Sequence, residues 1–287
     1  MPNTVAVTFR RGRDAAIGVA VPSVGDPFFA AVVEAVEGEA RRRGYAVIVT
    51  SLGNLPDDER PAILALLQRQ VVGLIATPTD PDQSYLRSRQ PRTAMVFIDR
   101  LPGQIRADTV RQDDEAGGYQ ATAHLLEHGH RRVAFLGDDD GFRTTALRLD
   151  GYRRALREAG VDDDPALVRL GDIGVDALTA EVDALLGADD PPSAVFSSNA
   201  RATRSFLHAL HRLDRHPAYV GFGDFPMADL LSPSVTVVDQ DPEAMGRIAV
   251  ERLFDRLTDP DRRLRRTVLL PVQAIGRGSC GPGCSLR

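Results

Sequence analysis

Apolar residues in this chain form short runs, and each run is followed by a stretch with helical spacing. The first run, residues 17–21, contains Ile17, Val19 and Val21, and such β-branched runs are typical of strands covered on both faces. After it, Asp26 and Pro27 are helix-start signals. The pattern therefore predicts a strand, a loop and a helix that begins at Phe28, with Asp26 and Phe28 at the strand end where open α/β sheets bind ligands.

The same alternation continues to the end of the chain. Predicted helices cover residues 28–43, 57–70, 83–90, 114–128, 144–159, 175–186, 200–213 and 242–257. Predicted strands cover residues 45–52, 71–79, 94–100, 131–138, 168–172, 193–199, 219–225 and 266–272. Alternation of this kind predicts an α/β fold with parallel, doubly wound sheets. Residues 108–114 and 234–240 interrupt it, and we interpret them as crossings between two lobes with a ligand cleft.

Composition narrows the function. The 287 residues carry a formal charge of −5, and all 35 basic residues are arginine. The net negative charge argues against a chain whose whole surface binds nucleic acid. Without lysine, the chain can have neither a P-loop nor a lysine that forms a Schiff base. No apolar run approaches the roughly 20 residues of a membrane span, and the first residues lack the apolar core of a secretory signal. We therefore expect a cytoplasmic protein.

Two motifs raise the alternative of an enzyme. His124 and His128 match the H-x-x-E-H zinc pattern, which would fit a zinc hydrolase. However, His128 ends a helix, where histidine favours the helix dipole, and no third ligand is evident on a later helix. The glycines 276, 278 and 281 match a dinucleotide fingerprint outside any strand–helix unit, so a dehydrogenase is not supported. We expect no catalytic residue, no metal and no cofactor.

The two cysteines, Cys280 and Cys284, lie in a glycine-rich terminal stretch. Two cysteines do not indicate a disulfide framework, and two sulfurs alone do not form a zinc site. We expect this stretch to be a mobile tail.

Polar residues instead gather at predicted strand ends and crossings. Carboxylates, amides and guanidinium groups that face one cleft suit several hydrogen bonds to a hydroxyl-rich ligand, with Phe28 as an apolar wall. The candidate residues are Asp26, Asp99, Arg100, Arg148, Asn199, Asp224 and Gln240.

Several segments resemble the LacI family of bacterial transcription regulators, in the family's order and along nearly the whole chain. They are IGVAVPSVGDPFF, FIDR, HLLEHGHRRVAFLGD, LRLDGYRRAL, AVFSSN, VGFGDF and SVTVVDQD. The resemblance implies a periplasmic-binding-protein type I fold: two Rossmann-like lobes, three crossings, and a small effector, a sugar or a related polyol or nucleoside, bound between the lobes. It also implies a homodimer without a membrane partner.

The resemblance also assigns residues. Asp99 and Arg100 correspond to the first crossing, Arg148 to an effector-binding arginine, and Asn199 and Gln240 to cleft amides. Three positions depart from the family pattern: Gly223 replaces an effector-binding aspartate, Ile173 an aromatic residue that stacks on the ligand, and Ala200 an aspartate. These departures argue against a standard pyranose as the effector. Ile173 is still counted among the predicted ligand-binding residues.

The first residues resemble the family's hinge helix, with Phe9 and Arg10 at the DNA-contacting positions. An apolar wedge at Phe9 would suit minor-groove insertion. The resemblance thus implies a chain that begins just before the hinge and lacks the helix-turn-helix through which the family binds operator DNA. The implied organisation is a hinge at 1–14, an N-terminal lobe of 15–110 and 241–270, a C-terminal lobe of 111–240 and 271–280, and a tail of 281–287. The alternative function is a solute-binding protein of a transport system.

Overall fold

The computed structural model describes residues 15–53, 56–138, 143–263 and 265–281. The chain divides into two compact units: unit 1 holds residues up to 112 and 241–270, and unit 2 holds 113–240 and the residues from 271 onward. The chain therefore passes from one unit to the other three times. Phe9 and Arg10, the predicted hinge residues, lie outside the described residues.

Unit 1 contains one six-stranded sheet with strand order β11-β5-β4-β3-β1-β2, and all its strand pairs are parallel. Its strands are β1 (Ala16–Val21), β2 (Ala46–Ser51), β3 (Gly73–Ala76), β4 (Ala94–Ile98), β5 (Asp108–Gln112) and β11 (Thr267–Leu270). Its helices are α1 (Pro27–Arg42), α2 (Pro56–Gln68) and α7 (Pro242–Thr258).

Unit 2 contains a second six-stranded sheet with strand order β12-β10-β9-β8-β6-β7. Its strands are β6 (Val133–Gly137), β7 (Val168–Leu170), β8 (Ala194–Ser197), β9 (Ala218–Phe222), β10 (Thr236–Asp239) and β12 (Gln273–Ile275). Its helices are α3 (Asp114–Glu127), α4 (Arg143–Glu158), α5 (Val175–Leu186) and α6 (Ala200–Leu213). Only the edge strand β12 runs antiparallel to its neighbour, among the pairs of described strands.

Both sheets repeat one topology, because in each the second strand lies outside the first and the third, fourth and fifth follow on the other side. The predicted parallel, doubly wound fold is thereby confirmed. This order reverses direction between β1 and β3 and between β6 and β8. Ligands of such sheets bind outside the carboxyl ends of the strands at that reversal.

The residues that begin and end the helices act as the sequence indicates. Asp26, Asp113, Asn199 and Asp241 each accept a hydrogen bond from a backbone N–H of the helix that follows. These bonds satisfy amide groups that the first helical turn leaves without partners. Gly44 has a positive φ of 79° just beyond α1, a conformation that favours glycine.

The chain passes between the units after residues 112 and 240, which lie within or at the end of the segments 108–114 and 234–240 that were predicted as crossings. Those segments also contain strands β5 and β10, which the sequence analysis did not predict. Two further expectations were wrong. The helix predicted for 83–90 is a single 3₁₀ turn at Ser84–Leu86. The terminal stretch contains β12, and Cys280 is fully buried in the unit 2 core and disulfide-bonded. Strands of three to five residues, such as β5, β10 and β12, lack enough periodicity to be recognised before their neighbours are known.

Among the described residues, none of the helices combines the length and apolar character that a membrane crossing requires.

Helices α3 and α4 cross so closely that their backbones are in contact. A Cβ atom at Gly118 would lie 2.1 Å from the carbonyl oxygen of Arg148, and one at Gly151 would lie 2.1 Å from the carbonyl oxygen of Glu115. Real Cβ atoms do not approach backbone oxygen so closely, so glycine is required on both helices at this crossing. The contact fixes the first half of α4 against the first turn of α3.

We predict that Gly118→Ala destabilises unit 2, because its methyl group would force the two helices apart. Overpacking of this kind costs about 1–3 kcal/mol, and a lowered midpoint of urea unfolding would report it. Gly38→Ala in α1 is the matched control, since its Cβ would meet only an arginine nitrogen at 3.9 Å. That variant should be neutral or stabilised by up to about 1 kcal/mol. Equal midpoints for the two variants would contradict the close crossing.

Candidate functional site

A buried ion pair lies at the carboxyl edge of the unit 2 sheet. Arg148 of α4 donates through Nε to Asp114 Oδ1 at 2.9 Å, and its Nη2 lies 2.8 Å from the same oxygen. Both residues are almost fully buried. The pair is possible because the glycine crossing places α4 directly against the first turn of α3, which Asp114 begins.

Two further contacts orient the Arg148 guanidinium. Its Nη1 donates to the carbonyl oxygen of Ser198 at 2.6 Å, and its Cζ lies 3.8 Å from the centre of the Phe222 ring. A guanidinium above an aromatic face gains a cation–π attraction. The group is therefore held by α3, by the end of β9 and by the residue that follows β8, so its direction at this edge is fixed.

A second polar cluster lies where the strand order of unit 2 reverses. Asp138 directly follows β6, and its Oδ1 accepts from Thr145 Oγ1 at 2.8 Å and from Asn199 Nδ2 at 2.9 Å. Asn199 in turn accepts from the Ala202 amide through Oδ1 at 2.9 Å. The asparagine thus caps α6 and bridges the ends of β6 and β8 at the same time.

Gly223 and Gln240 lie side by side at the ends of β9 and β10. Gly223 has a φ of +83°, and a Cβ atom there would lie 3.0 Å from Gln240 Oε1. Its backbone therefore favours glycine in this conformation. An aspartate at this position would need both a strained backbone and a displaced Gln240, which gives the departure from the family pattern a structural reason.

Asp224, the next predicted residue, forms an ion pair with Arg277. Arg277 Nη1 donates to Asp224 Oδ1 and to the carbonyl oxygen of Val235, each at 2.9 Å. The hydrogen bond to Asp224 raises the pKa of the Arg277 guanidinium. Asp224 therefore holds the terminal stretch against the β9–β10 end of the sheet.

In unit 1, the predicted residues occupy two separate places on the same sheet. Asp26 accepts from the Phe28 amide at 2.9 Å, and the Phe28 ring packs edge-on against Phe29 at 5.1 Å. Asp99 follows β4 with a positive φ of 64°, and Arg100 donates to the carbonyl oxygen of Pro78 at 3.2 Å. The unusual φ turns the chain sharply at the carboxyl end of β4.

The buried carboxylate of Glu59 organises the loop after β3. It accepts from the backbone of Thr79 at 2.5 Å and of Asp80 at 2.8 Å, from Gln83 Nε2 at 3.0 Å and from the Tyr85 hydroxyl at 2.7 Å. Burial and this hydrogen bond raise the pKa of Tyr85, so the phenol stays protonated and donates. Glu59 thereby fixes the loop to which Arg100 is hydrogen-bonded.

Ile173 is buried, with 4% of its surface exposed, just before α5. Whether it contacts a ligand remains a prediction, as do the binding roles of Asp26, Phe28, Asp99, Arg100, Arg148, Asn199, Asp224 and Gln240.

A cavity of about 900 Å³ lies at the other edge of the unit 2 sheet. Residues just before β6, β8 and β9 line it, among them His130, Ser193 and Pro217, together with α6 and the terminal stretch. None of the predicted ligand residues lines this cavity. It is thus a separate feature from the polar clusters at the carboxyl edge.

One group of side chains in unit 2 has the composition of a metal site. One ring nitrogen from His124, one from His128 and the sulfur of Cys280 all lie within 4.8 Å of one another. The sequence had suggested the two histidines but no third ligand. The third comes from the terminal stretch, 152 residues after His128 in the chain, which spacing along α3 cannot reveal.

Sequence reasoning missed the partners of the predicted residues. Asp114 and Asp138 are not among the predicted site residues, because neither forms a motif with Arg148 or Asn199 along the chain. The signal available was position, since both residues directly precede or follow a predicted element at the carboxyl edge. Ser198 acts through its backbone and has no side-chain signal.

Comparison with known proteins identifies the fold. Residues 122–280 match the periplasmic-binding-protein-like domain family. The ribose operon repressor of Escherichia coli K12 is 28% identical over 291 residues, which cover 97% of this chain and 86% of the repressor.

Two solved structures extend the comparison. A transcriptional regulator of the LacI family from Sanguibacter keddieii is 29% identical with a TM-score of 0.79, covering 93% of this chain and 100% of that one. A complex of the transcriptional regulator CelR with cellobiose is 27% identical with a TM-score of 0.79, covering 95% of this chain and 88% of that one.

The chain belongs to the periplasmic-binding-protein-like domain family, as the match over more than half its length shows. Within it, the chain is an effector-binding regulatory domain of the LacI family, as the sequence resemblance implied. Its relatives are transcriptional repressors, so the enzyme alternative is set aside on positive grounds.

We predict that Arg148→Ala lowers the stability of unit 2 whether or not a ligand is present. The change removes one partner of a buried pair and leaves the Asp114 carboxylate buried beside it, which costs about 3–5 kcal/mol. Thermal and urea unfolding of the ligand-free protein would measure the loss. Arg201→Ala, at an exposed position on α6, is the control and should unfold with the wild-type midpoint. A stable Arg148→Ala protein would show that the pair is not needed for folding.

Proposed function

We propose that the effector is an uncharged sugar or a closely related polyol or nucleoside, and that it binds at the carboxyl edge of the unit 2 sheet. The observation that carries this proposal is the cluster of Asp138, Thr145 and Asn199 at the reversal of the strand order, beside the fixed Arg148. This is the place where ligands of doubly wound sheets bind.

The chemistry of this edge favours hydroxyl groups. A hydroxyl donates one hydrogen bond and accepts others, so it suits an edge that mixes carboxylate acceptors with amide and guanidinium donors. Among the described residues, the hydrogen-bond partners recorded for the Asp138 carboxylate are the neutral Thr145 and Asn199. The Arg148 guanidinium is already close to Asp114. A phosphorylated ligand would meet the negative charge of Asp138, against which no cation is recorded in the part of the chain that the structure describes. This repulsion disfavours a phosphorylated ligand.

The relatives support a sugar. One is a ribose operon repressor and another is a regulator whose structure holds cellobiose. Gly223 leaves this edge without one carboxylate acceptor that the family pattern would place there, so the ligand orientation is expected to differ from that pattern. Asp26, Phe28, Asp99 and Arg100 of unit 1, and Ile173, Asp224 and Gln240 of unit 2, remain the further predicted contacts.

We infer that the bound effector modulates the affinity of a repressor for operator DNA, in the cytoplasm. This requires the effector to bind two conformations of the domain with different affinity. DNA contact would come through the hinge at Phe9 and Arg10 and through a helix-turn-helix N-terminal to it. The repressor relatives support this role over that of a solute-binding protein for transport.

We also propose that the domain forms a homodimer through an apolar patch on unit 2. Met227 and Leu230 expose 64% and 74% of their surface, and Leu231 exposes 39%. These residues lie together in the segment between β9 and β10. Clustered exposed apolar side chains of this size are typical of protein–protein contacts, and a second copy of the chain would bury them.

We predict that Asp138→Asn weakens effector binding by at least about 10-fold, because a hydrogen bond to a charged group contributes about 1.5–3 kcal/mol. Isothermal titration calorimetry with ribose, cellobiose, polyols and nucleosides would first identify the effector class, and the variant would then be titrated with the best compound. Sugar phosphates should bind more weakly than the parent sugars.

Asp176→Asn is the matched control for this experiment. Asp176 is an acidic residue of the same unit whose side chain is 95% exposed in a surface ion pair with Arg212, so its affinity should equal that of the wild type. Wild-type affinity in Asp138→Asn, or tighter binding of a sugar phosphate than of its parent sugar, would refute the proposed site.

We predict that Leu230→Asp shifts the dimer toward monomer by at least about 10-fold in dissociation constant, since a buried anchor residue contributes more than about 1.4 kcal/mol. Sedimentation velocity over a concentration series would measure the shift. Val24→Asp changes an apolar residue of unit 1 that is 51% exposed, and it should leave the dimer intact. A wild-type chain that sediments as a monomer at high concentration would contradict the proposal directly.

A further inference from the structure

The imidazoles of His124 and His128 lie next to each other on the last turn of α3. The two residues are four positions apart, their ring centres are 4.4 Å apart, and His124 Nε2 lies 3.0 Å from Cys280 Sγ. His124 and Cys280 are buried, whereas His128 is partly exposed. Two nitrogens and a sulfur are the ligand atoms that zinc takes in protein sites.

The spacing of the three ligand atoms is close to that of a metal centre. Zinc–nitrogen bonds of about 2.0–2.1 Å and zinc–sulfur bonds of about 2.3 Å in a tetrahedron place ligand atoms roughly 3.3–3.8 Å apart. The three atoms here lie within 4.8 Å of one another. A contraction of roughly 1 Å, achieved by side-chain rotation on α3, would therefore suffice to bring them onto one ion.

The hydrogen bonding of His128 supports the same function. Its Nδ1 lies 2.7 Å from the carbonyl oxygen of His124, and a carbonyl oxygen only accepts, so Nδ1 carries the hydrogen. In the neutral ring the lone pair is then on Nε2. Histidine ligands of metals are commonly oriented in this way by a backbone carbonyl.

The oxidation state of the Cys280 sulfur determines whether this group can bind a metal. Cys280 is disulfide-bonded in the structure, and a disulfide sulfur is not a thiolate ligand. Cys284, the chain's other cysteine, lies outside the described residues. Ser279 and Gly281, on either side of Cys280, line the cavity of about 900 Å³, which offers small molecules a route toward this segment.

We propose that His124, His128 and Cys280 form a zinc-type binding site that becomes available when the Cys280 disulfide is reduced. A dithiol reductant supplies two electrons and two protons, so that the protein disulfide becomes two thiols and the reductant becomes a disulfide. Zinc then displaces the thiol proton of Cys280 and forms a metal–sulfur bond. The remaining coordination position is left to water or to another donor.

Cobalt(II) is the probe of choice, because a cobalt–thiolate bond gives a charge-transfer band and tetrahedral cobalt gives intense visible bands. Tag-free full-length protein would be titrated with cobalt(II) before and after treatment with tris(carboxyethyl)phosphine, followed by displacement with zinc. We expect one cobalt ion per reduced chain with both sets of bands, and no such bands for the oxidised chain.

Single substitutions at the cysteines and at His128 test which side chains bind the metal. Cys284→Ser leaves Cys280 without another cysteine in its chain, so it should bind cobalt(II) without any reductant. Cys280→Ser should abolish the charge-transfer band, and His128→Ala should weaken binding by at least about 10-fold. His128 is only partly buried, so this variant tests the site even if Cys280→Ser fails to fold.

The matched control is His216→Ala, since the His216 side chain is 83% exposed and belongs to none of the three ligands. It should bind cobalt(II) as the wild type does. The site would be refuted if reduced wild-type protein showed no charge-transfer band, if Cys284→Ser bound no cobalt without reductant, or if His128→Ala bound it as tightly as the wild type.

Discussion

Unit 2 depends on the contact between the backbones of α3 and α4. Glycine at positions 118 and 151 lets the two helices touch, and only that distance brings Arg148 onto Asp114. The ion pair is buried, so removing either group would leave an uncompensated charge in the interior of unit 2. Arg148 then holds the Ser198 carbonyl and the Phe222 ring. One steric requirement thus determines which polar groups the end of the sheet presents.

The two units share a strand order but fix their carboxyl edges by different means. Unit 2 uses a buried ion pair between two helices, whereas unit 1 uses the buried carboxylate of Glu59, which accepts hydrogen bonds from one loop. A carboxylate with several donors is satisfied without a cation. Both arrangements join parts of the chain that lie 20 or more residues apart, so neither follows from local sequence.

The sequence predicted what local chemistry determines. β-branched runs marked the central strands, and Asp26 marked a helix start, because a cap needs only its own next turn. Strands β5 and β10 were missed inside the predicted crossings, since a strand of four or five residues becomes recognisable only beside its neighbour. The partners of Arg148 and Asn199, and the burial of Cys280, depend on contacts across tens to hundreds of residues. No spacing rule along the chain reports such contacts.

Helix α3 joins the two parts of unit 2 that carry chemistry. Its first turn provides Asp114 to Arg148, and its last turn provides His124 beside Cys280. These two residues are ten positions apart, which separates the two places by about 15 Å along the helix. A metal ion at the last turn would stabilise the folded unit by mass action, whatever happens at the first turn. It would influence effector binding only if α3 took two positions that the ion and the effector favoured unequally. The tight glycine crossing argues against such movement, because α3 could not shift without breaking its contact with α4. Metal and effector should therefore bind independently.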